Sequence, residues 1–86
     1  MARTITILTA REVAEGLEKL GVKVMNYTEG DDCVDGEVQI TEMVYVQVPV
    51  YDGGLIVGRW NEKMTSIRHF DVANIAMAAK QIKALI

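Results

Sequence analysis

The chain has 86 residues, half of them hydrophobic and only 6% aromatic, which predicts one domain, residues 1–86, around an aliphatic core. Its single cysteine excludes an intramolecular disulfide and a cysteine metal cluster, and a net charge of −3 argues against a strong non-specific grip on nucleic acid. No segment approaches the roughly 20 apolar residues of a membrane span and no signal-peptide core is present, so we expect a cytoplasmic protein with no membrane partner.

The first quarter of the chain predicts a strand, a helix and a strand. Residues 3–8 alternate polar and apolar side chains, as in a half-buried strand. Thr9 and Glu12 then form a capping box for an amphipathic helix that ends at Gly21. Val22–Thr28 alternates again, and so tight a connection favours a right-handed crossover with the two strands parallel.

The middle of the chain, Glu37–Tyr51, is predicted to be β structure. Glu42 interrupts its apolar series, which predicts a bulge or a division into two strands near Thr41. Six apolar residues share one parity and should point to one face: they are Val38, Ile40, Val44, Val46, Val48 and Val50.

The last third predicts a hairpin and a helix. Asp52–Gly54 is a strong turn signal, and it leads into a strand over Leu55–Trp60 in which Gly58 marks a bulge or a close approach. A final strand is predicted over Met64–Phe70, followed by a helix capped by Asp71. The fold class is therefore α+β, a two-layer sandwich of order β-α-β-β-β-β-α with a mixed, mostly antiparallel sheet and both helices on one face.

The opposite sheet face is unusually apolar for a surface in contact with water. If the helices cover the valines, it carries Met43, Tyr45, Tyr51 and Trp60, which we call the interaction face. The exposed side of an antiparallel sheet is normally polar, and a contiguous apolar patch indicates a binding site. We expect this face to bind a protein partner or a second copy of the chain, and self-association through this face or a sheet edge would give a homodimer.

A second candidate surface is an acidic loop formed by Asp31, Asp32, Asp35 and Glu37. Its spacing partly resembles an EF-hand calcium loop, but Cys33 replaces an oxygen ligand and the flanks are predicted strands, so we expect no metal site of that kind. Weak binding of a divalent ion by Asp31, Asp32 and Asp35 is the alternative. A dense carboxylate patch can instead bind a basic protein surface. Small phage and plasmid inhibitors of nucleic-acid enzymes use this strategy.

The leading hypothesis is thus a small, non-enzymatic interaction module without a cofactor. One alternative is a nucleic-acid-binding accessory protein that uses Arg59, Lys63 and Arg68 beside Trp60. The other is a small enzyme with a site between subunits, built from His69, Cys33 and the acidic loop. No hydrolase, nucleotide-binding or other catalytic motif supports an enzyme, so we expect no catalytic residues.

Overall fold

The computed structural model describes residues 8–31, 34–49, 54–60 and 67–86. The elements in chain order are α1 (Ala10–Lys19), β1 (Asn26–Thr28), β2 (Gly36–Gln39), β3 (Val44–Val48), β4 (Leu55–Trp60), β5 (Ile67–Val72) and α2 (Ile75–Leu85). The strand predicted at residues 3–8 lies outside the described residues, apart from Leu8, as does the turn at residues 52–53.

Helix α1 begins and ends where its sequence predicts. The Thr9 hydroxyl accepts from the Glu12 N–H at 3.1 Å, and the Glu12 carboxylate accepts from the Thr9 N–H at 3.1 Å, so the capping box is complete. At the other end, Gly21 follows the last turn with a φ of 87°. This left-handed conformation suits glycine because it has no Cβ.

The five described strands form one antiparallel sheet in the order β1-β2-β3-β4-β5. The predicted interruption near Thr41 is confirmed as a hairpin between β2 and β3. The Thr41 hydroxyl accepts from the N–H groups of Met43 and Val44 at 3.1 and 3.0 Å, which turns the chain there. Each strand thus pairs with its neighbours in sequence.

Both helices pack on the face of the sheet that carries the valines. Helix α1 lies over β1 and β2, α2 lies over β3, β4 and β5, and the two helices contact each other. The core contains the valines from the middle of the chain together with apolar residues of both helices: Val13, Leu17, Val38, Val44, Val46, Val57 and Ile82 are all under 2% exposed. The predicted α+β fold with helices on one face is confirmed.

The predicted start of α2 is wrong. Asp71 does not cap the helix; it belongs to β5 and pairs with Ile56 of β4. The N-cap is Asn74, whose side-chain oxygen accepts from the Met77 N–H at 2.9 Å. Pairing with β4 carries the strand to Val72, so the helix begins three residues later than the capping pattern suggested. Neither described helix is long and apolar enough to cross a membrane.

Candidate functional site

The sheet face turned away from the helices, the open face, is ordered by the strand register. Residues paired across neighbouring strands share a face, and on the open face these pairs form two rows of residues that run across the strands. The first row is Gln39, Tyr45, Gly58 and His69, and the second is Glu37, Gln47, Ile56 and Asp71. Apolar and polar side chains are therefore mixed on the open face, with the aromatic residues near one end.

Tyr45 is buried although it lies on the open face. Gly58 is its partner on β4 and has no side chain, so the tyrosine ring lies directly across that strand. The ring reaches β5, where Tyr45 Oη is 3.2 Å from His69 Nε2, and Trp60 packs beside it with ring centroids 6.1 Å apart. Only 7% of Tyr45 is exposed, so its ring packs against the sheet and does not project into solvent. The close approach predicted at Gly58 is confirmed.

The acidic loop is attached to the rest of the fold at both ends. The Glu29 carboxylate accepts from the backbone N–H groups of Ala10 and Arg11 at 3.2 and 2.7 Å, at the N-terminus of α1, where a negative charge is favoured by the helix dipole. Asp31 Oδ1 accepts from the Val34 N–H at 3.0 Å and closes a turn. These contacts fix the start of the loop against α1 and close its turn.

Asp35 joins the loop to the sheet. Its Oδ2 accepts a hydrogen bond of 2.8 Å from Gln47 Nε2 on β3. Gln47 is the neighbour of Tyr45 on the same face of that strand, so the bond brings the acidic loop beside the aromatic pair. Two surfaces that the sequence predicts separately therefore form one site.

The result is a groove of about 280 Å³ between the acidic loop and Trp60, which we call the aromatic–acidic groove. The residues that line it are Val34, Asp35, Gly36, Glu37, Tyr45, Gln47 and Trp60. No Lys or Arg is among these described lining residues. Two carboxylates and two aromatic rings thus face one cavity.

The electrostatics of Tyr45 agree with this arrangement. Burial raises the pKa of its phenol above the usual value, and the negative charge of Glu37 raises that pKa further. Tyr45 therefore stays neutral at physiological pH, and its hydroxyl can donate a hydrogen bond to His69. The influence of Glu37 indicates that its charge acts on the floor of the groove.

The predicted interaction residues reach the groove only in part. Tyr45 and Trp60 line it, and Met43 lies next to them, half-buried, with its carbonyl accepting from the Trp60 N–H at 2.9 Å. Tyr51 lies outside the described residues. Gln47 was missed by the sequence reasoning, although its parity with Tyr45 placed it on the same face.

The acidic residues divide in the same way. Asp35 and Glu37 line the groove, whereas the Asp31 carboxylate serves the turn, and Asp32 lies outside the described residues. Val34 is a second residue that the sequence reasoning missed, and it is 61% exposed at the rim of the groove. Among the described residues, no three His, Cys, Asp or Glu side chains are placed to hold a metal ion.

Of the residues of the nucleic-acid alternative, Arg59 does not share a face with Trp60. Arg59 pairs with Arg68 in the backbone register of β4 and β5, and Arg59 lies on the face opposite to that of Trp60 because neighbouring residues of a strand point to opposite sides. Lys63 lies outside the described residues. Arg59 and Trp60 therefore do not form an aromatic platform with a flanking cation on one face.

Of the residues of the enzyme alternative, His69 lies apart from the described acidic residues of the groove. His69 contacts Tyr45 through Nε2 and does not line the aromatic–acidic groove, and Cys33 lies outside the described residues. No known protein family, no curated protein and no solved structure matches the chain. The chemistry of the groove therefore carries the functional argument.

Proposed function

We propose that this protein is a non-enzymatic interaction module whose aromatic–acidic groove binds a basic side chain of a protein partner. The observation that carries the proposal is the convergence of Asp35 and Glu37 with Tyr45 and Trp60 around one cavity. Carboxylates attract a cation, and the face of a tryptophan ring is the best aromatic surface for one. The two kinds of group together are complementary to Lys or Arg.

Arginine fits this set of groups better than lysine. A guanidinium is planar, so it can stack on Trp60 while its N–H groups donate to the Glu37 carboxylate. Glu37 is exposed at its strand position, which leaves it accessible to a partner. The Asp35–Gln47 hydrogen bond and the clamped ring of Tyr45 hold the walls in place before binding, and such preorganisation reduces the entropy lost on association.

The experiment that tests this proposal uses Trp60 as the reporter, because it is the only tryptophan in the chain. A short peptide with a central arginine is titrated into the protein while the tryptophan emission is followed. The same peptide with citrulline, which has nearly the shape of arginine but no charge, is the control ligand. We expect a saturable change with arginine, weaker in high salt, and none with citrulline.

A pair of matched variants then locates the interaction. Glu37→Gln removes one negative charge from the groove, and Glu42→Gln removes one from an exposed position in the β2–β3 hairpin. We expect Glu37→Gln to weaken arginine binding by about two- to fivefold, the range for a solvent-accessible ion pair, with Glu42→Gln close to wild type. Equal affinity in both variants, or equal binding of arginine and citrulline peptides, would contradict the proposal.

The biological setting proposed from the sequence also follows this chemistry. A phage- or plasmid-type inhibitor acts on basic surfaces, and nucleic-acid enzymes present arginines on theirs to bind phosphates. The cytoplasmic location stays a prediction. Capture of a partner through its arginines would support the inhibitor hypothesis, and charge reversal of those arginines should abolish it.

A further inference from the structure

A second surface lies at the edge of the sheet formed by β5, away from the aromatic–acidic groove. One side of β5 pairs with β4, and no described strand pairs with its other side. A groove of about 600 Å³ runs between this edge and α2. Its lining includes His69, Phe70, Asp71 and Met77, and Met77 is 49% exposed. An unpaired strand beside a helix can accept another strand.

The hydrogen-bond pattern identifies the groups that point outward from this edge. The Trp60 N–H donates to the Met43 carbonyl, so Trp60 bonds towards β3. Bonding directions alternate along an antiparallel ladder, and Val57 therefore bonds towards β5, to its partner Phe70. It follows that the backbone N–H and C=O groups of His69 and Asp71 point away from β4, to the outer edge.

We propose that β5 pairs with β5 of a second copy of this chain, antiparallel and about a two-fold axis beside Phe70. In this register His69 of each copy lies opposite Asp71 of the other, and the outward backbone groups of these residues bond to each other. A two-fold axis perpendicular to the sheet keeps the helices of both copies on the same side of the joined sheet. It requires that the two residues paired across the interface both have odd numbers or both have even numbers. The pairing of His69 with Asp71 meets that requirement.

Side-chain chemistry favours this register among those that symmetry allows. The imidazole of His69 faces a carboxylate acceptor twice in the dimer, whereas a shift by one residue in each copy would place His69 opposite itself. When the Tyr45 hydroxyl donates to Nε2 of His69, the other ring nitrogen, Nδ1, is the donor, and it can donate to Asp71 of the second copy. The surface is thus complementary to itself.

The other side of the sheet adds apolar contact to the same axis. Phe70 lies on the helix-covered side, opposite Val57, and is half-buried. In the dimer the two Phe70 residues face each other as a non-hydrogen-bonded pair, the closest kind of cross-strand neighbour. Met77 of α2 lies in the same groove, so each helix brings an exposed apolar side chain towards the axis.

The first test measures mass and amide exchange together. Sedimentation of the full chain from low to high micromolar concentration should show a monomer converting to a dimer. Over the same range, hydrogen exchange at the amides of His69 and Asp71 should slow, while the amides of Phe70 and Val72, already directed to β4, should change little. A monomer at every concentration overturns the proposal and leaves the edge for an extended segment of another protein. A dimer without protection at His69 and Asp71 overturns it too.

The second test examines the register through charge. In the His69→Asp dimer, a carboxylate lies opposite another carboxylate at both of the 69–71 pairs. In the Asp71→Lys dimer, lysine lies opposite histidine at both pairs. Each variant alone should therefore dimerise at least about tenfold more weakly than wild type. An equimolar mixture should recover association, since Asp at 69 then faces Lys at 71 of the other variant. Glu42→Lys, on the exposed hairpin, is the control and should behave as wild type. Failure of the mixture to recover overturns the register.

Pairing through the β5 edge is independent of arginine binding by the aromatic–acidic groove. Peptide binding to the groove is measured by Trp60 emission. Pairing through the β5 edge is measured by the mass of the protein and by amide exchange, with no peptide present. Weaker peptide binding by Glu37→Gln with an unchanged dimer supports both assignments. Loss of dimerisation in Glu37→Gln would instead place the dimer contact at the aromatic–acidic groove and contradict pairing through the β5 edge.

Discussion

Gly58→Ala is expected to destabilise this protein, although alanine in a strand interior is normally better than glycine. A Cβ built on residue 58 would lie 2.8 Å from Tyr45 Cε1 and closer still to Cζ and Oη. These atoms belong to a ring that is held between Trp60 and His69, so it cannot move aside without losing those contacts. The substitution therefore displaces Tyr45 and opens the floor of the groove.

The size of the effect follows from three contributions. Forcing a methyl group into a packed site costs about 1–3 kcal/mol, and losing the hydrogen bond between Tyr45 and His69 costs about 0.5–1.5 kcal/mol. Replacing glycine in a strand returns about 0.5–1 kcal/mol. We expect a net loss of about 0.5–4 kcal/mol, centred near 2 kcal/mol, in the free energy of unfolding.

Urea denaturation followed by Trp60 emission measures this loss and reports the displaced ring, because Trp60 packs on Tyr45. The informative control is the same substitution in a Tyr45→Val background, where no ring lies across residue 58. There Gly58→Ala should be neutral or stabilising by about 0.5–1 kcal/mol, so the two substitutions should be strongly coupled. Additive effects, or a wild-type-like Gly58→Ala protein with unchanged emission, would show that the Tyr45 ring does not oppose the added methyl group.

Three further predictions concern the helix ends and Tyr45. Asn74→Ala should cost about 1 kcal/mol because it removes the cap of α2, whereas Asp71→Ala, measured on the monomer, should change stability by less than about 0.5 kcal/mol; equal losses in thermal unfolding would contradict the assignment. Glu29→Gln should cost about 0.3–1 kcal/mol at low salt, and this loss should shrink as salt is added; a salt-independent loss would exclude the helix dipole as its cause. Burial raises the pKa of Tyr45, so the unfolded phenol ionises first and stability should fall as pH rises above about 10; Tyr45→Phe should reduce that fall in urea titrations, and an identical decline would show that Tyr45 is not its source.

The parts of the fold that could be predicted depend on local or periodic signals. Thr9 and Glu12 specify the start of α1 because both halves of the capping box lie within four residues. The parity of the valines specifies the buried face because side chains alternate along any strand. Gly58 could be singled out because glycine in a strand interior often marks a bulge or the close approach of another group.

The parts that could not be predicted depend on contacts between distant segments. Asp71 and Asn74 are both good N-cap residues, and only pairing with Ile56 of β4 assigns Asp71 to the strand. The groove depends on the hydrogen bond between Asp35 and Gln47, which joins a loop to a strand after a hairpin has intervened. No local pattern reveals where such a loop will lie.

Tyr45 connects the two proposed surfaces, since its ring borders the groove and its hydroxyl contacts His69 on the β5 edge. Coupling between two sites requires an element with two arrangements that both partners bias. The ring is 7% exposed and lies against Gly58 and Trp60, which leaves little room for a second arrangement. We therefore expect an arginine peptide to bind monomer and dimer equally well. In Gly58→Ala the displaced Tyr45 ring has a second arrangement, so peptide binding and dimerisation can influence each other. Only in that variant should the affinity for the peptide change with protein concentration.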